Sequence, residues 1–169
     1  GLNVAAVVSD QGSNFYMLCN LLAVSIERPF FQYNGKSYYY LFDPPHLLKS
    51  IRNNLQKHVF EFGNQQQALW AHLSQLYELD SKQHFRLAPR LTKQHVDLPA
   101  FSSMRVKLAS QVFSYSVSAA MHTHADGDPP TLPPEARDTA EFCKTMNNLF
   151  DSVNSLHLQT SNKYQCAIS

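Results

Sequence analysis

Asp10 stands where a carboxylate can do chemistry. The run Asn3-Val4-Ala5-Ala6-Val7-Val8 is short, apolar and rich in β-branched residues, with the length of a buried strand. It ends in Ser9-Asp10-Gln11-Gly12-Ser13-Asn14, a polar turn with one glycine, and Phe15, Leu18, Leu21 and Leu22 then follow at helical spacing. A carboxylate at the C-terminal tip of a buried strand points into the crevice where open α/β sheets bind ligands, a common place for a metal-binding Asp in phosphoryl-transfer enzymes. On pattern alone the turn-forming reading prevails, since Asp is favoured at turns and N-caps whatever the function. A second strand tip carries Asp43 and His46. Lys36 to Phe42 is an aromatic strand entered through the Asn34-Gly35 turn, and it ends in Asp43-Pro44-Pro45-His46. The local alternative is that Asp43 ends the strand, the prolines stop it and His46 caps the next helix.

Other chemistry-bearing residues carry weaker signals. His122-Thr123-His124-Ala125-Asp126 has the composition of a metal cluster but falls in a proline-rich stretch, and reads as surface. His95 and His157 have no assigned role. Lys49 and Arg52 share a helix with His46 and suit either phosphate contacts or a solvated basic face. No G-x-x-x-x-G-K-[ST] loop exists, so a P-loop GTPase is excluded, and Asn162-Lys163-Tyr164 is followed by Gln165 rather than the Asp of a base-reading N-K-x-D. Cys19, Cys143 and Cys166 are far apart and odd in number, which suits neither a disulfide framework nor a zinc site. Free thiols fit a reducing compartment.

These residues need elements to hold them. The 169 residues are 44% hydrophobic, enough for a real core. Only 16% are charged and the formal net charge is +1, which argues against high-affinity DNA binding by this piece alone. No apolar stretch is long enough for a transmembrane helix. There is no signal-peptide pattern, and Gly1 is not an initiator Met, so the chain is expected to start inside a larger reading frame. Residues 1–58 read strand, helix, strand, helix, with the first helix at about Asn14 to Val24. The second follows the prolines, with Leu47, Leu48, Ile51 and Leu55 on its apolar face. From Gly63 onward the patterning is helical: Gln66 to Leu79, a long pattern from Leu98 to Ala120 with Pro99 near its start, and Thr139 to Asn154. A polar, proline-rich loop spans His122 to Pro134. The fold class is α/β followed by mostly α, with the change near residues 58–64.

The segments Ser-Asp-Gln-Gly-Ser-Asn at 9–14 and Phe-Asp-Pro-Pro-His-Leu-Leu-Lys-Ser-Ile-Arg-Asn-Asn-Leu at 42–55 resemble the P-element-like DNA transposases, including transposase-derived proteins with a THAP zinc finger. Phe142 to Ser155 looks like the same family farther downstream. The resemblance implies a partial RNase H-like catalytic domain over residues 1–60 and an α-helical GTP-binding insertion domain over 61–169.

It also implies roles. Asp10 would be the second of three carboxylates that hold two Mg²⁺ ions for in-line displacement, with the first upstream of Gly1 and the third beyond Ser169. One carboxylate cannot hold two metals, so this chain alone is expected to be an inactive nuclease. Asp43 and His46 match the family's D-x-x-H pair at the active-site edge, with the imidazole near a phosphate. Lys93, Lys107, Leu108, Ser116, Asp151 and Asn154 fall where the family's insertion contacts GTP: lysines as point charges on the triphosphate, Leu108 as an apolar neighbour, Asp151 on the guanine N1–H and N2–H₂ edge, and Asn154 one turn on from it. For the lysines and Asp151 the plain alternative is exposed or solvated helix surface. The implied partners are GTP and, through the intact protein, transposon-end DNA, in the nucleus, with no membrane role and self-association compatible. Two rivals remain: a decayed or domesticated interaction module without GTP binding or nuclease activity, and an ordinary α/β hydrolase or phosphatase piece using Asp10.

Overall fold

A computed structural model describes residues 3–154 and Tyr164. His157, Asn162, Lys163, Gln165 and Cys166 lie outside the described residues. The chain forms two compact units that divide between Leu47 and Leu48.

The first unit holds β1 (Ala6–Ser9), α1 (Ser13–Leu21), β2 (Phe30–Tyr33) and β3 (Lys36–Phe42) in a sheet of order β1-β3-β2. β1 runs parallel to β3 and β2 antiparallel to it. Asn34 and Gly35 both take positive φ, at 48° and 73°, the conformation of a two-residue hairpin turn. The turn was legible; its first arm, β2, was not expected. Cross-strand ring pairs hold the arm, with Phe31 stacked on Tyr38 at 5.5 Å and Phe30 edge-on to Tyr39 at 6.0 Å. The tyrosine run alternates faces as a strand should, with Tyr39 55% exposed and Tyr40 only 5%. α1 stops at Leu21, short of the expected Val24, because the backbone turns through Ala23 at φ 52°.

The second unit is helical around one core. Its elements are β4 (Phe60–Phe62), β5 (Gln66–Ala68), α3 (Trp70–Asp80), α4 (Lys93–Val96), a 3-10 turn (Ser102–Met104), α5 (Val106–Val112), α6 (Tyr115–Asp126) and α7 (Ala136–Val153). α2 (Pro44–Leu55) begins in the first unit and buries Leu48 and Leu55 in the core of the second. The compact units therefore divide earlier than the change in sequence patterning near residue 60. Leu73 and Leu76 of α3 join that core, each fully buried leucine stabilising by about 1.5–3 kcal/mol. Phe142 of α7 meets the rings of Phe60, Phe62 and Phe113 at 5.4–5.8 Å. Burial pushes the Cys143 thiol up to about 12, so it behaves as a core residue rather than a nucleophile.

Four expectations are corrected here. Residues 66–68 are a strand, not the start of a helix; the β4–β5 hairpin turns through Gly63 and Gln65 at positive φ, and Asp138 accepts from the Gln67 amide at 3.2 Å. The expected helix from Leu98 to Ala120 is a loop, a 3-10 turn and two helices. Ser114 N-caps α6, its Oγ accepting from the Val117 amide, while Val112, Phe113 and Val117 carry the apolar period across the break. The loop expected from His122 starts at Gly127, since Met121 and Ala125 anchor the last turns of α6 in the core. Arg52 lies on no solvated face: it is completely buried. Among the described residues no helix is long and apolar enough to cross a membrane.

Thr139 joins α7 to the start of α3. Its hydroxyl accepts from the Leu69 amide at 3.1 Å and lies 2.8 Å from His72 Nδ1, within hydrogen-bond distance. Burial pulls the His72 pKa below its ordinary value, with Glu135 and Asp138 pulling it back up. The unfolded chain therefore takes up the proton first as pH falls. His72 contributes stability in full above the unfolded value of about 6.5 and loses it toward the folded value. Urea midpoints are expected to fall between pH 7 and pH 5. His72→Asn, which keeps a hydrogen-bonding group beside Thr139 but does not titrate, should flatten that fall; equal slopes would exclude His72 as its source.

Candidate functional site

Two groups of residues were singled out by the sequence, one in each unit. In the first unit, parallel pairing sets Ser9 opposite Phe42, so Asp10 and Asp43 leave neighbouring strands at the same edge of the sheet. The Asp43 amide donates to the Ser9 carbonyl at 2.7 Å and extends the ladder to the strand tips. Asp10 Oδ1 accepts from the Gly12 amide at 2.8 Å and shapes the turn into α1. A Cβ added at Gly12 would sit 3.0 Å from that same oxygen, so the turn suits a residue without one. Asp43 Oδ2 accepts from the His46 amide at 3.0 Å and lies 2.5 Å from His46 Nδ1. The pair thus closes the first turn of α2, and the ring proton on Nδ1 leaves Nε2 as the second nitrogen to present. Asp10, Asp43 and His46 share one sheet edge, and all three keep local structural work. An open depression on this sheet, lined by Val4, Val7, Phe31, Tyr33, Lys36 and Tyr38, contains none of them.

Mg²⁺ requires several hard oxygen ligands in near-octahedral array. Among the described residues no group of three or more His, Cys, Asp or Glu is placed to hold a metal ion. Asp10 offers one carboxylate, already engaged on one oxygen. These residues do not by themselves fit a metal site.

In the second unit, α4 packs on α5, and α7 packs on both α5 and α6. Lys93 opens α4 and is exposed; Lys107 lies in the first turn of α5 and is exposed. Ser116, in the first turn of α6, is half-buried, with its Oγ 3.1 Å from Ser114 Oγ. Asp151 is half-buried in the last turn of α7 and accepts from Asn147 Nδ2 at 3.2 Å. Asn154 caps the end of α7 and is exposed. Leu108 is buried, on the core side of α5. Lys93, Lys107, Ser116, Asp151 and Asn154 thus lie on α4, on α5, on α6 and at the end of α7.

His95 had no assigned role, and it links the two lysine-bearing helices. The Thr92 amide donates to Nδ1 at 3.0 Å, so the ring proton sits on Nε2 and goes to Gln111 Oε1 at 3.0 Å. A capping box ordinarily carries Glu or Gln at this position, so a histidine there carries no recognisable pattern. His122 and His124 are no metal pair: His122 Nε2 meets Glu141 at 3.2 Å and His124 Nδ1 meets Thr131 at 2.8 Å, both contacts that tie α6 to its neighbours.

Residues 45–166 match the family model described as TNP-like, GTP-binding insertion domain. The sequence is 28% identical over 174 residues to the transposable element P transposase of Drosophila melanogaster, covering 99% of this chain and 22% of that protein. It is 33% identical over 172 residues to the human DNA transposase THAP9, covering 92% of this chain and 18% of that protein. The fold matches the Drosophila P element transposase strand transfer complex with a TM-score of 0.85 at 27% identity, over 98% of this chain and 37% of that one. The chain thus spans about a fifth of the length of the curated relatives it matches.

Proposed function

Because the chain belongs to the TNP-like, GTP-binding insertion domain family, we propose that it is the nucleotide-binding segment of a P-element-like cut-and-paste DNA transposase, joined to one edge of its catalytic sheet. The observation that carries this reading is the family match falling on the helices that bear Lys93, Lys107, Ser116, Asp151 and Asn154. The lysines neutralise phosphate charge, and Ser116 donates to a phosphate oxygen. The Asp151 carboxylate accepts from the guanine N1–H and N2–H₂ edge, which adenine lacks, and Asn154 supports it. Leu108 contributes packing beneath the phosphate-facing turn. The bound nucleotide helps to position DNA and is not consumed. Residues 1–60 serve as part of an RNase H-like domain and 61–169 as the insertion. Asp10 would be one of the carboxylates that hold Mg²⁺ in the whole enzyme, and His46 would lie near a phosphate at the same sheet edge. The protein acts on transposon-end DNA in the nucleus, where self-association would bring two ends together.

One observation favours a second reading, a domesticated interaction module with neither GTP binding nor nuclease activity. Asp10 and Asp43 are both used by the turns that follow them, so neither needs a catalytic role to be retained. Calorimetric titration with GTP and ATP separates the two readings. The expected result is saturable GTP binding clearly tighter than ATP binding. No binding, or equal binding of both, selects the interaction module.

A further inference from the structure

Arg52 is a fully buried cation, and no carboxylate is paired with it by a salt bridge among the described residues. Its Nη2 donates to the Ser103 carbonyl at 2.8 Å and its Nε to Asn53 Oδ1 at 2.8 Å. Asn53 Nδ2 reaches the same Ser103 carbonyl at 3.4 Å, so two consecutive residues of α2 converge on one backbone oxygen. Nη1 is buried without a hydrogen-bond partner among the described residues. Burial pulls the guanidinium down from its ordinary value.

A guanidinium is an expensive way to fill a core position. Desolvating it costs far more than packing a methionine or leucine there, unless its donors secure something an apolar side chain cannot. What they secure is the segment from Phe101 to Arg105. That segment enters its 3-10 turn through Phe101 at φ 65°, a left-handed conformation that a bulky residue rarely takes unaided. The clamped carbonyl lies in the connection between the exposed lysine of α4 and the exposed lysine of α5. Arg105, just past the turn, is the residue from which α5 starts, with Lys107 in its first turn.

We infer that Arg52 is a positioning residue for the phosphate-binding lysine of α5, acting through the Ser103 carbonyl. This rests on the proposed nucleotide binding, and it adds a residue that touches no ligand. Arg52 sets where Lys107 stands, so its loss weakens the hold on the phosphates and leaves base recognition alone.

The test uses the 169-residue chain with Arg52→Met and Arg52→Lys. Binding of GTP, ATP and guanosine is measured together with the rate of tryptic cleavage after Arg105 without ligand. In Arg52→Met, GTP and ATP affinity should each fall about 10-fold, the equivalent of one lost charged contact. Guanosine affinity should stay constant and cleavage after Arg105 should quicken. Arg52→Lys, which keeps a charged donor for Ser103, should recover part of both. A fall in guanosine affinity parallel to that of GTP would mark a general folding role and overturn the inference. So would a GTP-to-guanosine ratio unchanged from wild type, or cleavage after Arg105 unchanged. Absence of GTP binding in the wild type overturns the proposed function instead, and the cleavage rates still decide whether Arg52 clamps the segment.

Discussion

Asp80→Ala is expected to destabilise the helical unit by about 3–5 kcal/mol, the cost of breaking a buried ion pair by removing one partner. Asp80 ends α3 and is fully buried. Its carboxylate accepts from Arg86 Nε at 3.0 Å, from the Leu87 amide at 2.6 Å and from the Ala88 amide at 3.3 Å. Arg86 in turn donates to the carbonyls of Ala88, Pro89 and Leu91. Two side chains thus satisfy five backbone groups in a stretch with no regular secondary structure between Asp80 and Lys93. Truncating Asp80 strands the Arg86 guanidinium, 24% exposed, beside two amides with no acceptor. Arg86→Ala leaves Asp80 with its backbone donors and should cost less. Urea unfolding monitored at pH 7 reads both as shifts in midpoint at constant slope. A loss below about 1 kcal/mol for Asp80→Ala would show that the loop reorganises around an empty carboxylate site.

Neither Asp80 nor Arg86 stood out in the sequence, and the reason applies to most of what was missed. Patterns reveal residues whose role is set by near neighbours. Asp10 and Asp43 were legible because a β-branched or aromatic run followed by a polar turn fixes a strand tip, and parallel pairing then brought the two tips together. Asn34-Gly35 was legible because two positive φ angles in sequence favour those residue types. Gln65, at φ 64°, gives no such signal, and the β4–β5 hairpin it helps to turn went unread. Arg52 looked like surface because Lys49 lies three residues away on the same helix. Its partner is a backbone carbonyl 51 residues on, and no side-chain pattern marks a carbonyl. The long helix expected from Leu98 to Ala120 failed for the opposite reason: α5 and α6 bury one continuous apolar series, so the period survives a break that only Ser114 records. The proposed nucleotide contacts rest on family resemblance alone. Lys93 and Lys107 are exposed lysines on short helices, indistinguishable by pattern from ordinary solvated surface.

Asp151→Ala should abolish the preference for GTP over ATP. A carboxylate has two acceptor oxygens and no donor, the complement of the N1–H and N2–H₂ pair on guanine and a mismatch for the adenine edge, whose N1 is an acceptor. One oxygen of Asp151 already accepts from Asn147, a contact that fixes the side chain's rotamer in the last turn of α7. A fixed acceptor loses little entropy on binding, so its removal is felt at nearly full value. Truncation should cost GTP binding about 1–3 kcal/mol, the penalty for leaving a donor pair unmatched, and should leave ATP binding almost unchanged. Lys107→Ala should lower both nucleotides alike, because a phosphate contact carries no base information. Asp151→Asn is the sharper test. The amide turns one acceptor into a donor, which opposes guanine but suits xanthine, where a carbonyl replaces the 2-amino group. Xanthosine triphosphate should therefore bind Asp151→Asn better than GTP does, reversing the wild-type order in the same calorimetric series. If Asp151→Ala keeps the full preference for GTP, the base is read elsewhere and Asp151 is only the partner of Asn147 at the end of its helix.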